Sequence, residues 1–367
     1  MSESLRKLSS DYGQSPWLDN LQRGYLTSGT LESLVERGVR GLTSNPTIFQ
    51  KAIQGSSDYD DQFRSEILKG STAREAYWEL VLQDIHGALD VFAPLYSQSN
   101  GSDGFVSVEV DPSLAHDTTG TLSAARLLHE RISRPNVMIK IPATRQGLPA
   151  IREMIAEGRN VNVTLIFSLS RYQDVMDAYI EGLEQRMASG SSVANIASVA
   201  SFFISRVDNE IDKRLDQLGT QSALGLRGTA AVNQARLAYA AFQKTFSGPR
   251  WEALAKAGAS VQRPLWASTS TKNPTYPDTM YVDQLIGPDT VNTLPDATLE
   301  AFADHGTLAR TIDQNIGISK RQWAELAMNA IDVDEIAAQL EAEGVASFIK
   351  SFDELIGVLE DKAVGIS

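Results

Sequence analysis

The chain contains no cysteine, which removes disulfides, thiolate nucleophiles and cysteine-ligated metals from consideration. It has only four histidines, His86, His116, His129 and His305. None pair at the i, i+4 spacing that sets two imidazoles on one helix face, so no metal centre is expected. Long apolar runs are missing too: no stretch reaches the ~20 residues of a membrane-spanning helix. The opening Met1-Ser-Glu-Ser-Leu-Arg-Lys-Leu lacks the apolar core of a secretory signal. Cations are in deficit, with Lys+Arg 33 against Asp+Glu 46 and a net charge of −13, which argues against general affinity for nucleic acid or anionic membranes. The expectation is a cytoplasmic protein with no cofactor, no nucleic-acid partner and no membrane partner, whether monomer or homodimer. An anionic substrate must be captured by a few local cations against the field of the whole molecule.

What the chain does have is length and apolar content: 367 residues, 42% of them hydrophobic, enough for a large core. Apolar, β-branched runs alternate with amphipathic stretches. Strands are expected at Ser15–Leu21, Gly41–Phe49, Phe105–Asp111, Asn136–Ala143, Val161–Phe167, Ile196–Ser205, Arg263–Ser270 and Thr279–Ile286. Helical patterns lie between them, such as Ser170–Met187 and Gly228–Phe246, with two, near Asp58–Lys69 and Thr72–Leu95, between the second and third strands. Alternation of this kind implies βα units and a parallel sheet. About eight units without a Gly-rich dinucleotide fingerprint predict an α/β fold of the (β/α)8 TIM-barrel type, with extra helices. No Pro/Ser-rich linker divides the chain, so residues 1–367 read as one domain. Residues from about 296 to 367, with helical segments at Lys320–Ala330 and Val333–Leu359, form a C-terminal helical appendage packed on the barrel.

Strands of a parallel barrel are covered on both faces and should be apolar at both parities. Several here are not. In Val106-Ser-Val-Glu-Val-Asp111 the valines share one face while Ser107, Glu109 and Asp111 share the other. Asn162 and Thr164 alternate with apolar neighbours in the same way, and Lys140 sits in the middle of Val137-Met-Ile-Lys-Ile141. If the apolar parity packs under the helices, the polar parity points into the barrel, where such groups are costly unless paired. A desolvated lysine favours its neutral amine, which can attack a carbonyl; equally, Lys140 can be a structural partner of Glu109. Glu109 can serve as acid/base or as one half of a salt bridge. Asp19 reads as a cap or a functional carboxylate, Asn45 before Pro46 as a turn, and Asn162, Thr164, Ser201 and Phe203 as satisfied core or as site residues. Arg206 and Lys272, just past the sixth and seventh strands, read as solvated charges or as phosphate ligands.

Taken together, the motifs Gly41-Leu-Thr-Ser-Asn-Pro-Thr-Ile-Phe49, Val106-Ser-Val-Glu-Val-Asp-Pro112, Val137-Met-Ile-Lys-Ile-Pro-Ala-Thr144, Asn162-Val-Thr-Leu-Ile-Phe-Ser168, Val199-Ala-Ser-Phe-Phe-Ile-Ser-Arg206 and Arg263-Pro-Leu-Trp-Ala-Ser-Thr-Ser270 resemble the transaldolase family in order and over nearly the whole chain. The likeness is to its longer bacterial subgroup, which carries a C-terminal helical extension. The resemblance implies a transferase of the non-oxidative pentose phosphate pathway. Such an enzyme moves a dihydroxyacetone unit from sedoheptulose 7-phosphate or fructose 6-phosphate to glyceraldehyde 3-phosphate or erythrose 4-phosphate. It implies a Schiff base on Lys140, proton abstraction by Asp19, and proton transfer by Glu109 through a water held by Thr164. Asn45, Asn162 and Ser201 would hold substrate hydroxyls, Ser201 also sharing in phosphate binding, and Arg206, Ser270 and Lys272 would hold the phosphate, with Phe203 also in the site. No metal is required, because the iminium is the electron sink. Many family members have arginine where Lys272 stands; lysine keeps the charge but lacks the bidentate fork. The competing expectations are a fructose-6-phosphate aldolase of the same superfamily, whose members are much shorter, and a non-catalytic barrel that binds sugar phosphates.

Overall fold

The computed structural model describes residues 3–366; Met1, Ser2 and Ser367, which the single-domain reading includes, lie outside the described residues. Eight strands close into an all-parallel barrel in chain order: β1 (Gln14–Leu18), β2 (Gly41–Thr43), β3 (Phe105–Glu109), β4 (Val137–Pro142), β5 (Val161–Ile166), β6 (Ser198–Phe203), β7 (Arg263–Ala267) and β8 (Thr290–Leu294). The ring closes through β1 and β8, paired at five positions from Gln14↔Thr290 to Leu18↔Leu294. Every strand residue is buried except Arg263 at the edge of β7, as expected for strands covered by helices outside and packed side chains within.

The helices are α1 (Glu3–Ser10), α2 (Thr30–Arg37), α3 (Pro46–Gly55), α4 (Asp60–Leu68), α5 (Ala73–Gln98), α6 (Thr118–Ile132), α7 (Gly147–Ala156), α8 (Leu169–Ala188), α9 (Ser205–Leu218), α10 (Ala230–Thr245), α11 (Pro249–Lys256), α12 (Asp296–His305), α13 (Ile316–Met328) and α14 (Val333–Val364), with shorter turns between them. Their starts follow local chemistry. Thr72 caps α5 in a reciprocal box, its hydroxyl accepting from Glu75 N at 3.2 Å while Glu75 accepts from Thr72 N at 2.8 Å. Asn45 caps α3 by accepting from Ile48 N at 3.0 Å, with Pro46 at the first helical position.

That cap corrects one expectation: the apolar run Gly41–Phe49 is strand only to Thr43, and Asn-Pro begins a helix. A second correction concerns the eighth strand. Residues 279–286 hold a one-turn helix, Met280–Asp283, and the strand is Thr290–Leu294. Tyr281, Val282, Leu285 and Ile286 are buried, so their apolar run is real, but a short run does not distinguish a buried helical turn from a strand.

Two close approaches shape the barrel. A Cβ on Gly41 would lie 2.5 Å from the Trp17 ring, so any larger residue there must displace a buried tryptophan. In β5 the pairing with β6 slips between Val163 and Ile166, and Leu165 adopts φ +60°, a conformation costly for a branched side chain. Such bulges re-aim side chains beside functional sites, and Thr164 is the residue next to it. At the opposite end of the barrel, Asp103 is held by Arg40, Arg263 and Ser15, a network that ties strand ends together on the face associated with stability. Beyond β8, α13 packs on α10, and α14 runs back across α9, β5, α5 and α3. Gly344 lets it seat closely: a Cβ there would come within 2.9 Å of Leu165.

Candidate active site

The register of the barrel assembles a polar layer. Glu109 and Lys140 are Cα partners across β3–β4, and Lys140 and Asn162 across β4–β5. Lys140 Nζ lies 3.2 Å from Glu109 Oε2 and donates to the Ser44 carbonyl at 3.2 Å. Asn162 Nδ2 donates to Ser107 Oγ at 3.0 Å, and its carbonyl accepts from Ser201 Oγ at 2.7 Å. Lys140 is 4% exposed and Glu109 5%, so this is an ion pair withdrawn from water. Despite their nearness, neither Glu109 oxygen accepts an aligned hydrogen bond, and the Thr164 hydroxyl is likewise buried and unpartnered. Buried polar groups left without a protein partner are open to a water or a ligand.

Above this layer, at the C-terminal ends of the strands, opens a cavity of about 370 Å³. Asp19, Asn45, Lys140, Thr164, Ser201, Phe203, Arg206, Ser270 and Lys272 line it; of the expected residues, Glu109 and Asn162 lie off its wall, each hydrogen-bonded or ion-paired to a residue that reaches it. A larger cavity, about 700 Å³, lies between α7, α8 and α14; two of its three arginines are engaged by carboxylates, Arg171 by Asp174 and Glu341 and Arg152 by Glu181, and it contains neither Lys140 nor any other expected site residue. Among the described residues there is no cluster of three or more His, Asp or Glu side chains placed to hold a metal ion, and no helix long and apolar enough to cross a membrane.

Electrostatics sets the carboxylates apart from ordinary surface acids. Burial pushes the Glu109 carboxyl up; adjacent Lys140 opposes the rise and Asp19 adds to it. Burial also pushes Asp19 up, against the pull of Lys140 and of the Thr43 hydroxyl, which donates to Asp19 Oδ1 at 2.8 Å. Groups held towards neutrality are suited to taking and returning protons. Burial lowers the Arg206 guanidinium, which sits 5.1 Å over the Phe203 ring and has no carboxylate within 4 Å among the described residues. Lys272 Nζ donates to Ser270 Oγ at 2.8 Å.

Several lining groups had no signal in the sequence. Lys51 of α3 adds a fourth cation to Lys140, Arg206 and Lys272, and Ser347 and Phe348 of α14 close one side, with the Phe348 ring 5.9 Å from Lys140 Nζ. A lysine on an exposed helix face and a phenylalanine in an apolar helical stripe are indistinguishable from ordinary surface and core. The Ser44 carbonyl is a main-chain group, so side-chain reasoning passes over it. Thr43 and Ser44 both lie within the Gly41–Phe49 motif.

Comparison with known proteins adds an independent line. Residues 16–359 match the family described as transaldolase/fructose-6-phosphate aldolase. The chain is 50% identical over 364 residues to a transaldolase of Parafrankia sp., covering 99% of this chain and 98% of that protein. It is 50% identical over 358 residues to transaldolase 1 of Streptomyces coelicolor, covering 97% and 94%. A transaldolase of Thermobifida fusca is 49% identical over 358 residues, covering 97% of each.

Proposed function

This chain belongs to the transaldolase/fructose-6-phosphate aldolase family, and from that premise we propose that it is a transaldolase working through a Schiff base on Lys140. The observation that carries the proposal is Lys140 itself: a primary amine buried inside a barrel, 3.2 Å from Glu109, at the floor of a cavity lined by hydroxyls and cations.

In the proposed reaction the Lys140 amine adds to the C2 carbonyl of a ketose phosphate. Glu109, through a water shared with the Thr164 hydroxyl, supplies and removes the protons that turn the carbinolamine into an iminium. Both groups are free to take part in such a bridge, having no hydrogen-bond partner of their own. Asp19 takes the proton of the C4 hydroxyl, the C3–C4 bond breaks, and an aldose phosphate leaves. The electron pair left on C3 is delocalised into the iminium, so the three-carbon unit stays bound as the neutral enamine. An incoming aldose phosphate reverses these steps, and hydrolysis of the new iminium frees Lys140. Asn45, Asn162 and Ser201 hold substrate hydroxyls, and Phe203 forms a wall. Arg206, Ser270 and Lys272 hold the phosphate, short-range attraction overcoming the long-range repulsion of a −13 molecule. The substrates are sedoheptulose 7-phosphate or fructose 6-phosphate as donors and glyceraldehyde 3-phosphate or erythrose 4-phosphate as acceptors, in the cytoplasm. We read the chain as one domain, with the residues after β8 as its appendage, bringing Phe348 to the site.

Borohydride trapping in the presence of fructose 6-phosphate, followed by peptide mapping, tests the central assignment. The expected mass increase is one reduced dihydroxyacetone or hexose phosphate on the peptide containing Lys140. An adduct on any other lysine overturns it. Release of free dihydroxyacetone in place of transfer to an aldose phosphate would instead make the enzyme an aldolase.

A further inference from the structure

The phosphate grip proposed above has two halves on different elements. Arg206 is the second residue of α9, whereas Ser270 and Lys272 lie on the connection after β7, which has no regular structure of its own between Ala267 and Met280. A cation on such a loop helps only if its distance from Arg206 is fixed before substrate arrives. Otherwise ordering the loop costs part of the binding free energy.

The loop and the helical turn Met280–Asp283 that ends it are pinned at three points, all to one stripe of α9. Ser205 N donates to the Ser268 carbonyl at 3.0 Å, and the two hydroxyls lie 2.9 Å apart. Tyr276 OH donates to Asp212 Oδ2 at 2.6 Å. Tyr281 OH donates to Asp208 Oδ2 at 2.8 Å. Positions 205, 208 and 212 follow one another at i, i+3 and i+7 and share one helix face. Each carboxylate spends its other oxygen on the start of α10: Asp212 accepts from Gly228 N at 2.9 Å and Asp208 from Ala231 N at 2.7 Å. Tyr276 packs directly on Gly228, where a Cβ would meet its ring at 2.8 Å. Thus two side chains join three elements.

The arrangement is expensive. Asp208 is 1% exposed and Asp212 7%, and neither has a cation within 4 Å among the described residues. A buried carboxylate satisfied only by neutral donors costs stability that apolar packing would not. None of the proposed chemical steps uses either group.

We propose that Asp208 and Asp212 are positioning residues: by gripping Tyr281 and Tyr276 they hold Ser270 and Lys272 at a set span from Arg206, and so determine the selectivity of the site for phosphorylated over unphosphorylated sugars. The inference rests on the phosphate grip assigned above, and the two are separable by experiment.

Tyr276→Phe removes one hydroxyl and keeps the ring on Gly228. Steady-state kinetics would compare fructose 6-phosphate with fructose as donor, in the wild type, Tyr276→Phe, Lys272→Ala and the double variant. The expected result for Tyr276→Phe is a KM for fructose 6-phosphate raised about tenfold, the scale of one charge-assisted contact, with kcat within about twofold and kcat/KM for fructose unchanged. Because the strut acts chiefly through the Lys272 charge and only secondarily through Ser270, adding Tyr276→Phe to Lys272→Ala should raise KM by much less than the tenfold expected of Tyr276→Phe alone. Additive effects, or equal losses on both donors, overturn the positioning role, since they describe a residue that supports the barrel generally. A wild-type KM in Tyr276→Phe also overturns it and leaves the grip intact. If Lys272→Ala alone leaves the KM for fructose 6-phosphate unchanged, the grip fails and the inference with it. Tyr281→Phe repeats the comparison at the second anchor should Tyr276→Phe fold poorly, with the same expected pattern.

Discussion

Arg206→Ala is the substitution whose consequence is best constrained by the structure. The guanidinium lines the cavity, lies over the Phe203 ring at 5.1 Å, and has no carboxylate within 4 Å among the described residues. Burial lowers its pKa, with Asp19 and Glu343 pulling the other way, so its charge is partly desolvated and no acid forms an ion pair with it. An arginine held this way is primed for an anion, and a charge-assisted contact to phosphate is worth about 1.5–3 kcal/mol. At 1.36 kcal/mol per decade this is about a ten- to hundredfold loss in kcat/KM for phosphorylated donors and acceptors. The fork of the guanidinium puts the loss towards the upper end. Stability should change little, within about 1 kcal/mol, because no ion pair is broken and relief of desolvation offsets the lost packing on Phe203 and the attraction of Asp19 and Glu343. The assay is kcat/KM for fructose 6-phosphate against fructose, alongside thermal denaturation. A fall of equal size on both sugars, or a large drop in Tm, would refute the reasoning: Arg206 would then be holding β6 or Lys140 in place, and the phosphate would lie elsewhere.

Lys140→Ala should abolish transfer while leaving far-UV circular dichroism intact, since it removes the electron sink; more than a trace of turnover in a pure preparation would sink the Schiff-base mechanism. Activity should survive exhaustive EDTA treatment, because the iminium does the work a metal would do, and inhibition reversed by one divalent ion would count against it. Burial pushes Asp208 up to about 7, above its unfolded value near 3.8, so its contribution to stability is fully present below about pH 4 and is lost as pH rises through about 7. Tm measured from pH 4 to 8 should therefore move in favour of Asp208→Asn relative to the wild type as pH rises, levelling off above about 7; parallel curves would refute a raised Asp208. Gly41→Ala puts a methyl 2.5 Å from the Trp17 ring and should destabilise by about 1–3 kcal/mol, read as a lower denaturation midpoint; an unchanged midpoint would show that Trp17 can move aside.

The local part of this protein was written in its local sequence. Parity along a strand has period two, so the alternation of Ser107 and Glu109 with valines, and Lys140 in an apolar run, marks polar groups turned into the barrel, and the β3–β4–β5 register places Glu109, Lys140 and Asn162 side by side. Seven of the eight strands fell within or against the expected runs for the same reason. The eighth did not, because Tyr281, Val282, Leu285 and Ile286 are buried by the barrel around them, and burial alone leaves helix and strand alike in a short run. Distances between elements belong to closure of the barrel and were beyond local reading. Phe348 reaches Lys140 across more than 200 positions, Lys51 joins the cavity from a helix that reads as surface, and Asp208 and Asp212 meet Tyr281 and Tyr276 only because α9 lies along the loop after β7. Sequence thus determined which residue types were turned inward, since that depends on alternation along one chain; the tertiary structure alone decided which of them meet, since that depends on how eight strands curl into a ring and where the last helix comes to rest across its mouth.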